Sequence, residues 1–501
     1  MDREKRWQYF PGRVSEEDRA KLPYMPTICD LLEKVKKDYG ECEAIGNDEV
    51  KYTYNELYSR VARRRDFLFG LGLSEGAKVG VMSRNSIDSM EWFLAITSAG
   101  YVMIMLPVQL NEQALAGCVM KFNMEALFIS DEFAPLAEGV NTKVYPLNSI
   151  SDNEAPMGEN IVKETIAAIY FTGGTTGAPK GVVTNHGALM RGALNACWRD
   201  HRVFHHRYIA FLPLSHIYGS VAGFLTGIYT GSYIYVNPDM KKSVGMIPFV
   251  KPTCLVVVPG LAEIILGLAS VKGKEFVGSV EEMLVGAAPV PPRLMKSFEQ
   301  LGIKVLAGYG MTEGANLSSA NYNVEEKPHS MGMIYPDQEY KIVNGELWLK
   351  GDNVMVGYYN DPEATAAVLE DGWLKTGDLV DVDEEGYITI VGRIKNLIIL
   401  SNGENISPEE IEEVYYKENF VKDCLIKEDT MNDEPVIAIE ILPYGPEVEG
   451  LSSEEIQKKA EDVVAKVNAT MPTFKRVTKV TVRNEDFKRT GAMKIDRKAH
   501  I

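Results

Sequence analysis

Residues 170–181 read Tyr-Phe-Thr-Gly-Gly-Thr-Thr-Gly-Ala-Pro-Lys-Gly, and this stretch constrains the chain more than any other. Gly173, Gly174, Gly177 and Gly181 carry no Cβ, so backbone can turn tightly against a ligand. Thr172, Thr175 and Thr176 add hydroxyls, and Lys180 adds a point charge. Backbone N–H groups, hydroxyls and one cation in a short loop make an anion cradle, with phosphate the natural fit. The preceding 165–171 segment is apolar and partly β-branched, so the loop is expected to leave the end of a strand. The phosphate loop of kinases and GTPases is excluded. It needs Ser or Thr after its lysine to hold magnesium, and here Gly181 follows Lys180. Taken alone, the segment also reads as an ordinary Gly/Thr-rich strand-to-helix turn.

The rest of the chain narrows the choice. Its 501 residues, 45% hydrophobic and 25% charged, suffice for several core-forming units of a globular protein. A formal charge of −17 argues against nucleic acid as a partner, because phosphate backbones attract basic surfaces. A local cradle can still be positive on an acidic protein. The six cysteines are scattered, with no Cys-x-x-Cys pair. They fit a reduced, cytoplasmic protein and neither a disulfide framework nor a zinc site. The most apolar stretches, 221–236 and 253–269, are broken by Gly, Ser, Pro or Glu, so no transmembrane segment is expected.

Strand-like runs at 78–82, 126–129, 208–212, 233–236, 254–258, 283–285 and 304–307 alternate with amphipathic stretches at 54–70, 86–99 and 291–301. This alternation predicts α/β layers with largely parallel sheets and ligands at the strand ends. After about residue 340, short strands at 346–350 and 387–391 with Gly/Asp/Asn-rich turns predict an antiparallel region. From Pro408 the chain is charged, with helices expected at 408–417 and 452–470 and strands near 423–426, 436–442 and 479–483. This predicts a small α+β unit. A boundary at 393–395 divides the chain into 1–394 and 395–501.

Further motifs carry chemistry. Gly308-Tyr309-Gly310-Met311-Thr312-Glu313 follows a strand. Its glycines allow close approach, its tyrosine gives a flat face, and Glu313 is a hard oxygen ligand suited to magnesium beside phosphates. Gly286-Ala287-Ala288-Pro289 has almost no side-chain bulk. His216 lies in Leu212-Pro213-Leu214-Ser215-His216-Ile217-Tyr218-Gly219. Trp373-Leu374-Lys375-Thr376-Gly377-Asp378 is followed by Gly392-Arg393-Ile394-Lys395, and an aspartate after a tight turn can accept from two ribose hydroxyls. Gly403 lies in a Gly/Asn-rich turn before Pro408, and Lys494 closes Lys488-Arg489-Thr490-Gly491-Ala492-Met493-Lys494.

In this order, from Tyr52-Thr53-Tyr54-Asn55-Glu56-Leu57 to Lys494, the motifs resemble those of the adenylate-forming superfamily, and within it the acyl- and aryl-CoA synthetases. The resemblance implies a large N-terminal domain of layered α/β sheets with a small β-barrel-like region. A mobile α+β C-terminal domain would carry the catalytic lysine. It implies ATP, Mg²⁺ and coenzyme A as cofactors and a carboxylic acid as substrate. Loop 172–181 would hold the departing pyrophosphate, Glu313 the magnesium and Thr312 phosphate oxygens. Tyr309 would stack the adenine, with Gly308, Gly310 and Met311 beside it and 286–289 as the facing wall. Asp378 and Arg393 would grip the ribose. Lys395 would be the hinge, and Gly403 would line the pantetheine tunnel after rotation. His216 would line the acyl site, and Lys494 would steady the charge developing at the α-phosphate.

Two residues depart from the family pattern: Gly173 stands where Ser is usual, and Met493 where Gly is usual. Gly310 occupies the place of a tryptophan that shortens the pocket of acetate-activating relatives, which implies a medium-chain, long-chain or aryl acid. No aspartate near His216 offers to pair with a substrate ammonium, which counts against an amino acid. A separate acyl carrier protein as acceptor, a homodimer, a luciferase-like oxygenase and a non-catalytic nucleotide-binding homologue all remain open at this level.

Overall fold

The computed structural model of the protein describes residues 3–10, 14–158, 160–172, 180–198, 202–288, 290–399, 405–431, 434–489 and 495–500. Local signals set the elements. Thr53 Oγ1 accepts from Glu56 N at 3.2 Å, and a Glu56 carboxylate oxygen accepts from Thr53 N at 2.7 Å. This capping box starts helix Tyr54–Gly70 where the sequence predicts it. Strands Lys78–Met82 and Glu346–Lys350 also have the predicted bounds.

Strands Lys143–Pro146, Met124–Ile129, Lys78–Met82, Val102–Leu106 and Ile166–Phe171 lie side by side and parallel. Gly181–Asn185 returns antiparallel to Ile166–Phe171, and Gly357–Tyr358 adds to its outer edge. Strand Gly181–Asn185 therefore returns beside Ile166–Phe171 before helix His186–Cys197 begins. A second sheet sets Cys254–Val257, Glu282–Gly286 and Lys304–Met311 parallel, then Asn316–Asn321 and Met333–Ile334 antiparallel. In a third, Glu43–Gly46 pairs with Lys51–Thr53 and Tyr233–Tyr235, which in turn pairs with Arg207–Ile209. That last strand stops short of the expected 212. The carbonyls of Ala210 and Leu212 instead accept from the Asn85 side chain at 3.0 and 2.8 Å, so side-chain bonds replace the ladder there.

The change of texture after 340 is an antiparallel sheet of Glu339–Val343, Glu346–Lys350, Trp373–Val382, Leu369–Glu370 and Ile388–Arg393. Farther on, Val421–Met431 and Glu434–Pro443 form a long hairpin joined by Lys479–Val482, with helices Pro408–Tyr415 and Ser453–Thr470. Ile411, Tyr415, Ile426, Ile439 and Val464 build a core there separate from the large one.

The large core is aromatic at its centre. Trp92 stacks on Phe128 with centroids 3.8 Å apart and donates to Leu147 O at 2.6 Å, so its one polar atom is satisfied in burial. The N-terminal helix Arg3–Tyr9 closes another flank. Buried Arg6 donates to Tyr335 O at 2.9 Å and Gln338 O at 2.7 Å, while Tyr9 and Phe10 pack against Tyr322. Among the described residues, no helix is long and apolar enough to cross a membrane.

Candidate active site

Beyond strand Ile166–Phe171, Thr172 N donates to Lys180 O at 3.1 Å, which continues the pairing of the two strands. The Lys180 ammonium lies 4.9 Å from the ring centroid of Tyr358. The Tyr358 hydroxyl donates to Glu313 Oε1 at 2.8 Å. Glu313 sits in the 3₁₀ turn Thr312–Gly314 that ends the long strand Lys304–Met311. Its carbonyl accepts from Met355 N at 2.8 Å, and the next carbonyl, of Gly314, accepts from Asn353 Nδ2 at 2.9 Å. Register thus draws a lysine, a phenol and a carboxylate from three distant parts of the chain into one chain of contacts. Met311 packs in a small apolar cluster with Val182, Met355 and Leu374 beneath them.

The second cluster lies at the other end of the same motif. Tyr309 donates to Asp378 Oδ2 at 2.6 Å, and Arg393 Nε stands 2.7 Å from Asp378 Oδ1. Asp378 and Arg393 face each other across paired strands, and Gly377, at φ +71°, makes the turn before the aspartate. Asp378 is fully buried. Burial first, then the Asp378 charge, pushes the Tyr309 phenol well above its ordinary range, so it acts as a donor. Lys395 follows in the turn Ile394–Asn396, its ammonium held below its ordinary range by desolvation and by Arg393.

The 286–288 segment lies beside the same strand. Gly286 pairs with Gly308 across parallel strands. A Cβ on Gly286 would lie 3.1 Å from Tyr218 Oη and 3.2 Å from Gly308 O. Ala287 follows with φ +68°, in the left-handed region a side chain disfavours, and Ala288 continues the turn. His216 precedes the π-helical segment Tyr218–Leu225 and is half-buried. Tyr218 donates to Leu284 O at 3.0 Å, so the histidine motif joins the strand that leads to Gly286.

Two expectations meet a different local packing. Tyr309 is only 7% exposed, with Met331, Ile334 and Leu347 in its cluster, so its ring offers no open face in this conformation. A Cβ at Gly310 would lie 1.7 Å from Asn316 O. The glycine answers to the close approach of strand Asn316–Asn321. Gly173, Gly174, Thr175, Thr176, Gly177, Pro289, Gly403 and Lys494 lie outside the described residues.

The donor chemistry fits a metal–nucleotide better than a bare metal. No group of three or more His, Cys, Asp or Glu that could hold an ion occurs among the described residues. Glu313 would then be a single hard-oxygen ligand, and magnesium is usually held by one or two carboxylates plus substrate phosphates. Tyr358 and Asn353 carried no signal in the sequence. Their positions follow from strand pairing and turn contacts between distant segments.

A family model described as AMP-binding enzyme matches residues 32–359, and one described as AMP-binding enzyme C-terminal domain matches 395–501. A long-chain-fatty-acid–CoA ligase of Bacillus subtilis (strain 168) is 33% identical over 515 residues, spanning 89% of this chain and 90% of that protein. A 2-succinylbenzoate–CoA ligase of Bacillus cereus is 29% identical over 395 residues, spanning 74% and 79%. The crystal structure of the anthranilate CoA ligase AuaEII in complex with anthranoyl-AMP shares the fold, with a TM-score of 0.83 at 20% identity over 96% of this chain and 98% of that one. The chain belongs to the AMP-binding enzyme family, as the ordered motifs from Tyr52 to Lys494 implied.

Proposed function

We propose that the protein is an AMP-forming acid–thiol ligase that activates a carboxylic acid with ATP as an acyl-adenylate and transfers the acyl group to coenzyme A. The observation that carries this reading is the double use of residues 308–313. Tyr309 faces the Asp378–Arg393 pair and Glu313 faces Tyr358 and Lys180, so one strand end serves a ribose side and a phosphate side. The long-chain-fatty-acid and 2-succinylbenzoate CoA ligases, aligned over most of their lengths, support the same chemistry.

In this reading Lys180 and the hydroxyls of loop 172–177 hold the β- and γ-phosphates. Bound at Glu313, magnesium would neutralise phosphate charge. Asp378 and Arg393 orient the ribose, Thr312 contacts phosphate oxygens, and Gly286, Ala287, Ala288 and Pro289 flank the base. Lys494 steadies the charge as the carboxylate attacks the α-phosphate, so catalysis is placement plus electrostatic stabilisation. The unit 395–501 then turns about Lys395 relative to 1–394, withdraws Lys494 and brings in Gly403, a hinge motion that lets one site run two steps. His216 lines the acyl site. The names of the relatives support a medium-chain, long-chain or aryl acid.

ATP–pyrophosphate exchange across acetate, octanoate, palmitate, benzoate and coumarate, repeated with coenzyme A and thiol detection, tests this. Acid-dependent exchange with thiol loss is expected, strongest with acids larger than acetate. Exchange without thiol loss would move the acceptor to a carrier protein. Background exchange with every acid would overturn the ligase reading.

A further inference from the structure

Tyr358 touches both charged groups on the phosphate side. Its hydroxyl donates to Glu313 Oε1 at 2.8 Å, and the Lys180 ammonium lies 4.9 Å from its ring centroid. The main chain holds it firmly. Tyr358 pairs with Val182, one residue beyond the strand's first residue Gly181, and its N–H donates to Thr365 Oγ1 at 2.9 Å. The stretch 353–358 also grips the Glu313 turn through Asn353 on Gly314 O and Met355 N on Glu313 O. The main chain and the carboxylate of Glu313 are thus fixed from one side by one segment.

We propose that Tyr358 is a positioning residue: it ties down one oxygen of Glu313 so that the carboxylate presents the other to a nucleotide-bound divalent cation, and its ring keeps Lys180 beside the same phosphates. The inference rests on the ligase reading for its substrates. Its physical basis is general, since hydrogen bonds to a metal-ligating group orient it and typically contribute 10- to 100-fold in metal affinity or activity. The ring face can hold an ammonium without neutralising it.

The test uses the full chain and the variants Tyr358→Phe and Tyr358→Leu. Binding of α,β-methylene-ATP is measured with and without Mn²⁺, with the metal followed by electron paramagnetic resonance, so no turnover is needed. Tyr358→Phe keeps the ring and loses the donor. It should bind the Mn²⁺ complex about tenfold more weakly, bind the metal-free analogue like wild type, and raise the Mg²⁺ requirement of pyrophosphate exchange while kcat at saturating Mg²⁺ changes less than about twofold. Tyr358→Leu should also weaken the metal-free analogue, through Lys180. The proposal is overturned if Tyr358→Phe binds the Mn²⁺ complex like wild type. It is equally overturned if that variant loses metal-bound and metal-free nucleotide alike together with thermal stability, the mark of a purely structural role. Wild type that binds the Mn²⁺ complex yet exchanges pyrophosphate with no acid would sink the ligase reading alone.

Discussion

The two ends of the 308–313 motif solve the problem of charge in opposite ways. At the ribose end, Asp378 is fully buried and paired: Tyr309 donates to its Oδ2, and the Arg393 guanidinium stands at ion-pair distance from its Oδ1. At the phosphate end, Glu313 is half-buried and Lys180 exposed, and the phenol of Tyr358 stands between them. A buried charge is tolerated only when paired, so the first cluster is bound to the stability of the fold. The second spends little of the fold's stability and keeps its charges available to a multiply charged ligand. The same strand thus separates a buried, paired electrostatic unit from a more exposed one.

Four experiments can break or sharpen that contrast. The largest effect is expected at Lys494. Lys494→Ala should lower adenylation by on the order of a hundredfold or more and leave thioester formation from supplied acyl-adenylate largely intact. Equal loss in both half-reactions would contradict a small domain that serves the two steps in turn. Next, Asp378→Ala strips the acceptor from a buried phenol and the partner from Arg393, and should destabilise the protein by about 3 kcal/mol. Chemical denaturation measures this, and an unchanged midpoint would show that the ribose end is not structural after all.

The third concerns acid. His186 opens the helix that follows the phosphate-side hairpin, is fully buried, and accepts from Ile28 N at 3.2 Å. Burial lowers its pKa from 6.5 to about 4. The unfolded chain therefore takes up this proton at a higher pH than the native one does. The contribution is complete above pH 6.5 and is lost as pH falls toward 4, reaching about 2 kcal/mol by pH 5. His186→Asn should flatten this part of the stability–pH curve. Hydrogen exchange at pH 5 should show Gly181–Asn185 opening before Trp373–Val382, and the reverse order would erase the distinction between the two ends. The smallest effect belongs to Lys180. Lys180→Met should raise the KM for ATP about tenfold, as for loss of one charge-assisted contact, with an unchanged melting temperature.

How much of this was legible in the sequence depends on how local each cause is. Thr53 and Glu56 sit three residues apart, so the start of helix Tyr54–Gly70 could be read directly. Thr172, Lys180, Glu313 and Asp378 declared themselves by residue type within short motifs. The hairpin behind the phosphate loop was not visible, because both a helix and a returning strand can follow a glycine-rich turn. Tyr358 was missed for the same kind of reason: its bond to Glu313 spans 45 positions and depends on the pairing of Gly357–Tyr358 with Gly181–Asn185. At Gly310 the sequence suggested the place of a pocket-shortening tryptophan but not that a Cβ there would meet the Asn316 carbonyl, a contact set by the register shift between Tyr309 and Gly310.

The helix Arg3–Tyr9 lies ahead of residue 32, where the match to the family begins. Yet its Arg6 satisfies two carbonyls of the 335–338 turn, and Tyr9 and Phe10 cover an aromatic floor formed with Tyr322 and Tyr335. A recombinant fragment trimmed to the family limits would bare that floor to water and invite self-association. Cloning boundaries for this protein should therefore follow its packing and not the edges of sequence similarity.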